Sequence, residues 1–285
     1  MLSLSVLLAL AASVSWGVSD FLGGMTSRRL SLVSVLLVSQ SVGLVMVVPA
    51  VLMSDQAPVD GPARLSAIGG SLAGLIGIAA LYRAIAVGVV SIAAPISATG
   101  AVIPVAVGVL RGETASGWQA IGVGLAILGV VLAAWTAGDP MHSSATSGQA
   151  RAGSGFALLA AAGFGCFFVL LHDASTYSVI WATFVQRLTS VSVLALVSLI
   201  VRPSLAVGWR RAPRLLAIGA LDQGANLLYG FASTVGLVSL AAVLASLFPV
   251  VTVVLARAVL HERLSRTQQT GVACAMAGVA LIAGG

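Results

Sequence analysis

Polar side chains that could bind a ligand are scarce in this sequence, and one segment sets several of them in register. Asp222, Asn226, Tyr229 and Ser233 recur at intervals of four, three and four residues, and Gln223 stands beside the first of them. These intervals place side chains on one face of an α-helix. A carboxylate, an amide and two hydroxyls on one face can bind a polar ligand, or they can hydrogen-bond to a neighbouring helix. The sequence leaves both readings open.

A single arginine, Arg187, interrupts another apolar run, and Gln186 is its neighbour. A guanidinium binds a carboxylate through two parallel hydrogen bonds. Arg187 is therefore predicted to bind either an acidic group of a ligand or Asp222, as a structural ion pair. Gln40 occupies a similar place in an earlier apolar run, so the predicted ligand site has its cationic group on one side only.

Asp20 and Asp222 are the two acids that fall within the apolar runs. A carboxylate in such surroundings needs a partner or a water-lined cavity and is a candidate proton carrier. Asp20 lies near the end of its run, so the alternative is that its side chain extends toward Arg28 and Arg29.

The elements that must position these residues are long apolar runs. Hydrophobic residues form 59% of the 285 positions and charged residues 8%, whereas a soluble domain carries about 25% charged residues. The runs recur at about the 20 residues that cross about 30 Å of hydrocarbon, and they lack the alternation of a membrane barrel. The sequence therefore predicts an all-α polytopic membrane protein with ten transmembrane helices. These spans are predicted at about residues 3–24, 31–53, 64–87, 89–110, 116–136, 154–172, 177–201, 213–236, 238–259 and 267–284.

The arginines indicate how the spans are oriented. All 14 basic residues are arginine, and eleven of them fall at the face that carries the loops after spans one, three, five, seven and nine, against two at the other face. Because cytoplasmic loops of membrane proteins are enriched in basic residues, these odd-numbered loops are predicted to be cytoplasmic. Both termini are then outside, in a multi-pass protein of the plasma membrane.

The chain divides into two similar halves, residues 1–136 and 154–285, joined by a polar linker at 137–153. The pair Leu81-Tyr82 matches Leu228-Tyr229, and Glu113 matches Glu262. Each half holds five spans, an odd number, so the second half enters the membrane upside down relative to the first. Inverted repeats are typical of secondary transporters, which bind their solute between the halves near the midplane.

Two further residue types bear on this interpretation. Trp16 and Tyr82 can stack on or hydrogen-bond to a ligand, or they can anchor their helices at the membrane interface. Pro95, Pro104 and Pro249 interrupt the hydrogen bonding of the fourth and ninth spans. They are predicted to act as helix hinges, or to kink these spans for packing alone.

Several short motifs together resemble a known family. They are the Trp16-Gly17 pair, prolines in the fourth span of each half, and the turns Gly112-Glu113 and Leu260-His261-Glu262-Arg263 before the fifth and tenth spans. In this order, over nearly the whole chain, they are similar to the EamA-type repeat of the drug/metabolite transporter superfamily. The resemblance implies a ten-helix carrier of small metabolites, amino acids or drugs, often an exporter.

Other classes of function lack support in the sequence. The scattered arginines do not form a nucleic-acid site, and neither metal-ligand spacing nor a nucleotide-binding glycine loop is found, so no enzyme, metal or cofactor is predicted. We therefore expect a proton-coupled exporter of a small polar metabolite such as an amino acid. A facilitator or uptake permease for a sugar or nucleoside, and a membrane scaffold without a solute path, are the alternatives. The expected partners are the solute and the lipid bilayer, and a homodimer is left open.

Overall fold

The computed structural model describes residues 2–27, 30–87, 96–134, 147–203, 208, 211–260 and 265–284. Across these ranges the regular structure is helical, as predicted. In the first half the α-helices are α1 (Leu2–Ser27), α2 (Leu32–Leu52), α3 (Gly61–Val87), α4 (Val102–Leu110) and α5 (Gly117–Ala134). In the second half they are α6 (Ser147–Ser175), α7 (Val179–Val201), α8 (Ala212–Val235), α9 (Val238–Ala245), α10 (Phe248–Leu260) and α11 (Arg266–Gly284).

Helix length and apolar composition fit a membrane-embedded chain. Five of the described helices are long and apolar enough to cross a bilayer, and shorter apolar helices cover 96–110, 117–133 and 238–252. Large apolar side chains remain exposed on the outside of the bundle, among them Leu52, Leu110 and Ile200. In hydrocarbon such side chains need no burial against protein, and a helix satisfies its own backbone hydrogen bonds. The protein is an integral multi-pass membrane protein.

Helix pairing between the halves follows a two-fold pattern. Helix α1 packs on α8, and α3 packs on α6. Since α1 and α6 are the first spans of the two halves, and α3 and α8 the third, these two contacts are equivalent. Helices α2 with α7, α4 with α9, and α5 with α11 pair across the same interface. Because each half contributes five spans, equivalent helices run in opposite directions. This is the packing that two inverted repeats require.

The fourth and ninth spans are both interrupted near the middle of the bundle. A 3-10 turn at Thr99–Ala101 precedes α4. Between α9 and α10 the helix ends at Ala245 and restarts at Phe248, where a continuous span over 238–259 was predicted. Pro249 lacks a backbone N–H, so it cannot continue the hydrogen-bond ladder to the preceding turn. Pro104 lies within α4, whereas Pro95 lies outside the described residues.

Each interruption packs against a glycine from the first span of the opposite half. A Cβ atom on Gly17 would lie 2.9 Å from the carbonyl oxygen of Phe248, and one on Gly165 would lie 2.6 Å from that of Gly100. No side chain fits in either place. The close approach of backbones brings α1 and α6 directly against the helix breaks, and this positions Trp16, next to Gly17, at the centre of the molecule.

Candidate functional site

A cavity of about 310 Å³ lies between the two halves. Its walls come from α1, α2 and α3 of the first half and from α6, α7, α8 and α10 of the second. Gly24 and Leu32 line one end of the cavity, close to the connection between α1 and α2. The cavity therefore extends from the middle of the bundle toward the face that carries the odd-numbered, arginine-rich loops.

A buried ion pair forms the polar centre of the cavity. Arg187 Nη1 lies 2.7 Å from Asp222 Oδ2, and the two side chains are 4% and 21% exposed. Gln40 Nε2 donates a hydrogen bond to the same carboxylate oxygen at 3.1 Å, and Gln40 Oε1 accepts one from Arg187 Nη1. Trp16 Nε1 donates to Asp222 Oδ1 at 3.1 Å. Two hydrogen bonds and one ion pair, from three different helices, thus converge on the Asp222 carboxylate.

The guanidinium of Arg187 has room because its neighbours are small or flexible. A Cβ atom on Gly43 would lie 3.2 Å from Arg187 Nε, so a larger residue there would displace the guanidinium. On the other side, Arg187 Nε donates to Gln223 Oε1 at 2.6 Å. Asn226 Nδ2 donates to the backbone oxygen of Asp222 at 2.6 Å, one turn earlier on α8. The second half thus supplies both charges, and each half supplies two of the polar side chains around them.

Several polar atoms at this centre keep unused hydrogen-bonding capacity. Among the described residues, no partner is found for Arg187 Nη2, Gln223 Nε2, Asn226 Oδ1 or either polar atom of the Gln186 side chain. Most buried polar groups in proteins are paired. Gln186, Arg187 and Asn226 also line the cavity, so small rotations would offer these groups to a bound molecule.

Asp20 lies on α1 one turn beyond Trp16, toward the arginine-rich face. It lines the cavity and its residue surface is exposed. In the part of the chain that the structure describes, Asp20 has no hydrogen-bond or ion-pair partner. Arg28 and Arg29, toward which the Asp20 side chain was alternatively expected to extend, lie outside the described residues.

Aromatic rings form the end wall of the cavity. Trp16 packs edge-on against Phe167, Phe168 and Phe248, with ring centroids 6.0, 5.7 and 6.4 Å away. Behind this wall, Tyr229 is fully buried and its hydroxyl donates to the backbone oxygen of Phe168 at 2.8 Å. Tyr229 is not among the residues that line the cavity, and the Tyr82 side chain lies outside the described residues.

The predicted site residues therefore divide into two groups. The cavity brings together the predicted residues Trp16, Asp20, Gln40, Gln186, Arg187, Asp222 and Asn226. Gln223 supports Arg187 from behind, and Tyr229 with Ser233 packs in the interior. Sequence reasoning missed Phe167, Phe168 and Ser71 as lining residues. Phe167 and Phe168 lie one helical turn after Phe164, the match to Trp16 in the second half. The repeat could therefore have indicated them as neighbours of the predicted site.

Polar contacts between the halves cluster at the opposite end, beyond the aromatic wall. Arg111 donates to Asp173 through both terminal nitrogens, at 2.5 and 3.0 Å, and this hydrogen bonding raises the pKa of the Arg111 guanidinium further above its ordinary value. Glu113 accepts from the backbone nitrogens of Val238 and Ser239 at 2.6 and 3.1 Å. The first half is thereby tied to the second where the cavity ends.

Comparison with known proteins identifies the architecture. The sequence profile of the EamA-like transporter family matches residues 3–135 and again residues 151–284. The chain belongs to the EamA-like transporter family. This confirms the resemblance seen in the sequence and the ten-helix, two-repeat fold, and it makes this EamA-like protein a membrane transporter of small molecules.

The fold has a counterpart among solved structures. One, a "Crystal structure of protein", superposes on this EamA-like chain with a TM-score of 0.81 at 17% sequence identity, covering 97% of this chain and 95% of that chain. At this identity the similarity shows the shared fold alone. Among curated proteins, no sequence matches the chain.

Proposed function

We propose that this chain is a secondary transporter that exports a small polar metabolite, such as an amino acid or a related compound, across the plasma membrane. The observation that carries the proposal is the cavity between the halves, with the buried Arg187–Asp222 pair at its centre. A pair buried only for packing would be enclosed between helices, whereas this one lines a space large enough for a small molecule. That arrangement supports a solute path over a scaffold.

The proposed cycle starts with the cavity open to the arginine-rich, cytoplasmic face. A solute enters past Gly24 and binds beside Asp222, Arg187, Gln40 and the free amide of Gln186. The halves then rock about the interrupted fourth and ninth spans, with Pro104 and Pro249 near the hinges. Separation of the Arg111–Asp173 and Glu113 contacts opens the other face and releases the solute outside.

Coupling to protons is part of the proposal. The Asp222 carboxylate is already bound by Trp16, Gln40 and Arg187, whereas Asp20 has no partner among the described residues, so the proposal assigns the proton to Asp20. No nucleotide site is proposed, and the cycle would run on gradients. The proposed partners are the solute and the lipid bilayer. A homodimer is not required to form the cavity, since residues of one chain line it.

Transport assays test this proposal. The purified protein is reconstituted in liposomes with an imposed pH gradient, and the fluxes of amino acids, sugars and nucleosides are measured. Asp222→Asn leaves Arg187 without its counter-charge, so we expect the flux to fall about tenfold or more. Asp20→Asn should abolish the dependence on the pH gradient. Asp55→Asn, an exposed acid in the loop after α2, is the control and should retain full flux.

One alternative is favoured by a specific observation. The charges of Arg187 and Asp222 satisfy each other, and the amides of Gln40, Gln186 and Asn226 surround them, as would suit a sugar or nucleoside. For such a facilitator, flux would ignore the pH gradient and survive Asp20→Asn. Absence of flux for every solute class would refute both transport proposals.

A further inference from the structure

One acidic side chain of the cavity has no basic partner among the described residues. The described lining includes three ionisable charged residues, namely Asp20, Arg187 and Asp222. Arg187 and Asp222 pair with each other at 2.7 Å. Within the part of the chain that the structure describes, Asp20 is then left without a counter-charge, one helical turn from Trp16 on the same face of α1. A carboxylate in a membrane-embedded cavity attracts a cation strongly, because little water is present to screen it.

The wall beside Asp20 is aromatic. Trp16, Phe164, Phe167, Phe168 and Phe248 line the same cavity. The faces of such rings attract cations, most strongly those of tryptophan, and they also pack well against the apolar body of an organic molecule. A cavity with a free carboxylate and an aromatic wall is matched by a guest that has one positive charge and an apolar or aromatic body.

We infer that Asp20 is a specificity-determining residue that selects guests bearing an organic cation, such as a primary amine, over guests that are anionic. The ammonium group binds the Asp20 carboxylate at the arginine-rich end, while the body of the guest packs against Trp16 and the phenylalanines. Arg187 offers an acidic guest little net attraction, because Asp222 already pairs with its charge, although its Nη2 atom can still donate a hydrogen bond to a guest. This inference rests on the proposed function, since it takes the cavity to be the solute site.

The same carboxylate was proposed above as the proton carrier, and the two roles are compatible. A proton and an ammonium group each neutralise Asp20, so one excludes the other. The charged groups that face Asp20 within the cavity are Asp222 and Arg187, and their mutual pairing leaves Asp20 as the group that a guest can neutralise.

A binding experiment on the purified full chain in detergent tests the inference. Three probes share an indole body and a short alkyl chain and differ in charge: tryptamine is a cation, tryptophan a zwitterion and indole-3-propionate an anion. Isothermal titration calorimetry is expected to give the tightest binding for tryptamine, with an affinity about tenfold or more above that of indole-3-propionate. Asp20→Asn should remove this preference, Asp20→Glu should retain it, and Asp55→Asn should leave it unchanged.

The outcomes separate this inference from the proposed function. Equal affinities for the three probes, a preference for indole-3-propionate, no binding of tryptamine, or an unchanged preference in Asp20→Asn would each overturn the inference. If Asp20→Asn does not fold, the preference of the wild-type chain and its retention in Asp20→Glu still decide. Binding of tryptamine through Asp20, together with absence of flux for every solute class in liposomes, would contradict transport and leave the inference standing. Flux of an anionic solute would support transport and contradict the inference.

Discussion

At the scale of single residues, the centre of the molecule is a network of five connected side chains, those of Trp16, Gln40, Arg187, Asp222 and Gln223. Arg187 is almost fully buried, and Asp222 is its only acidic partner among the described residues. Removing one member of a buried pair leaves an uncompensated charge, which destabilises a protein more than removing both. The stability of the fold therefore depends on the two charges being kept together.

This dependence predicts a specific pattern of stabilities. Arg187→Met should destabilise the protein by about 3 kcal/mol, because the Asp222 carboxylate would lose its ion pair and keep only Gln40 and Trp16 as partners. The double variant Arg187→Met/Asp222→Leu should recover most of that loss, since no charge remains to be desolvated. SDS-induced unfolding of the purified variants measures both values. A double variant less stable than the single one would show that the ion pair contributes net stability of its own.

The polar residues at this centre were accessible to sequence reasoning because charges are rare in apolar runs. Asp222, Arg187 and Gln40 stand out for that reason, and the structure brings them together. The role of Tyr229 was harder to anticipate. Its spacing from Asp222 places it on the same face of α8. That end of the face, however, is packed in the interior, where the Tyr229 hydroxyl donates to the backbone oxygen of Phe168. Spacing along one helix does not reveal where the neighbouring helices close over it.

At the scale of elements, the two halves hold each other's helix ends. Glu113 lies in the turn before the fifth span, and its carboxylate accepts from the first backbone N–H groups of α9, in the opposite half. These groups have no partner within their own helix, and a carboxylate there also interacts favourably with the helix dipole. The first residues of the ninth span are thus fixed by the fourth and fifth spans.

Loss of this cap should loosen α9. Glu113→Ala is expected to cost about 1 kcal/mol and to speed amide exchange at Val238 and Ser239, whereas exchange in α3 should not change. Hydrogen–deuterium exchange followed by mass spectrometry measures this difference, with Asp55→Ala as the control for loss of an acid. Unaltered exchange at the start of α9 would mean that the cap does not hold this helix end.

The helix boundaries show what hydropathy can and cannot provide. Spans one to three, seven and eight begin and end within a few residues of their predicted limits, because the length of an apolar run is set by the bilayer. Helix α6 instead begins at Ser147, inside the predicted linker and well before the predicted start of span six at residue 154. The interruption of span nine was not predicted as a break. Pro249 signalled a kink, but the ending of α9 also depends on Gly17 packing against Phe248, a contact between residues far apart in the sequence.

At the scale of the whole molecule, the cavity extends toward one face of the described part of the bundle. Its residues reach from the aromatic wall to Gly24 at the arginine-rich face, while the Arg111–Asp173 pair and the Glu113 cap join the halves at the other end. The distribution of arginines predicts that the first of these faces is cytoplasmic.

Cysteine labelling tests both the opening and the orientation. In a background where Cys166 and Cys274 are replaced by alanine, Gly24→Cys should react with a membrane-impermeant maleimide added to inside-out vesicles. Gly117→Cys, exposed at the start of α5, should react only in right-side-out vesicles. Both positions tolerate a side chain, since a Cβ atom there meets no other atom within 4 Å. Reaction of Gly24→Cys from the outside would contradict the predicted topology.

The charges of the cavity also break the equivalence of the two halves. At the offset of 147 that relates Leu81-Tyr82 to Leu228-Tyr229, Arg187 corresponds to Gln40 and Asp222 to Leu75. Two identical inverted copies would make the inward- and outward-facing conformations equal in energy, with no preferred resting state. With the guanidinium and the carboxylate both contributed by the second copy, that equality is no longer imposed by symmetry, and the two states of the proposed cycle are free to differ in energy.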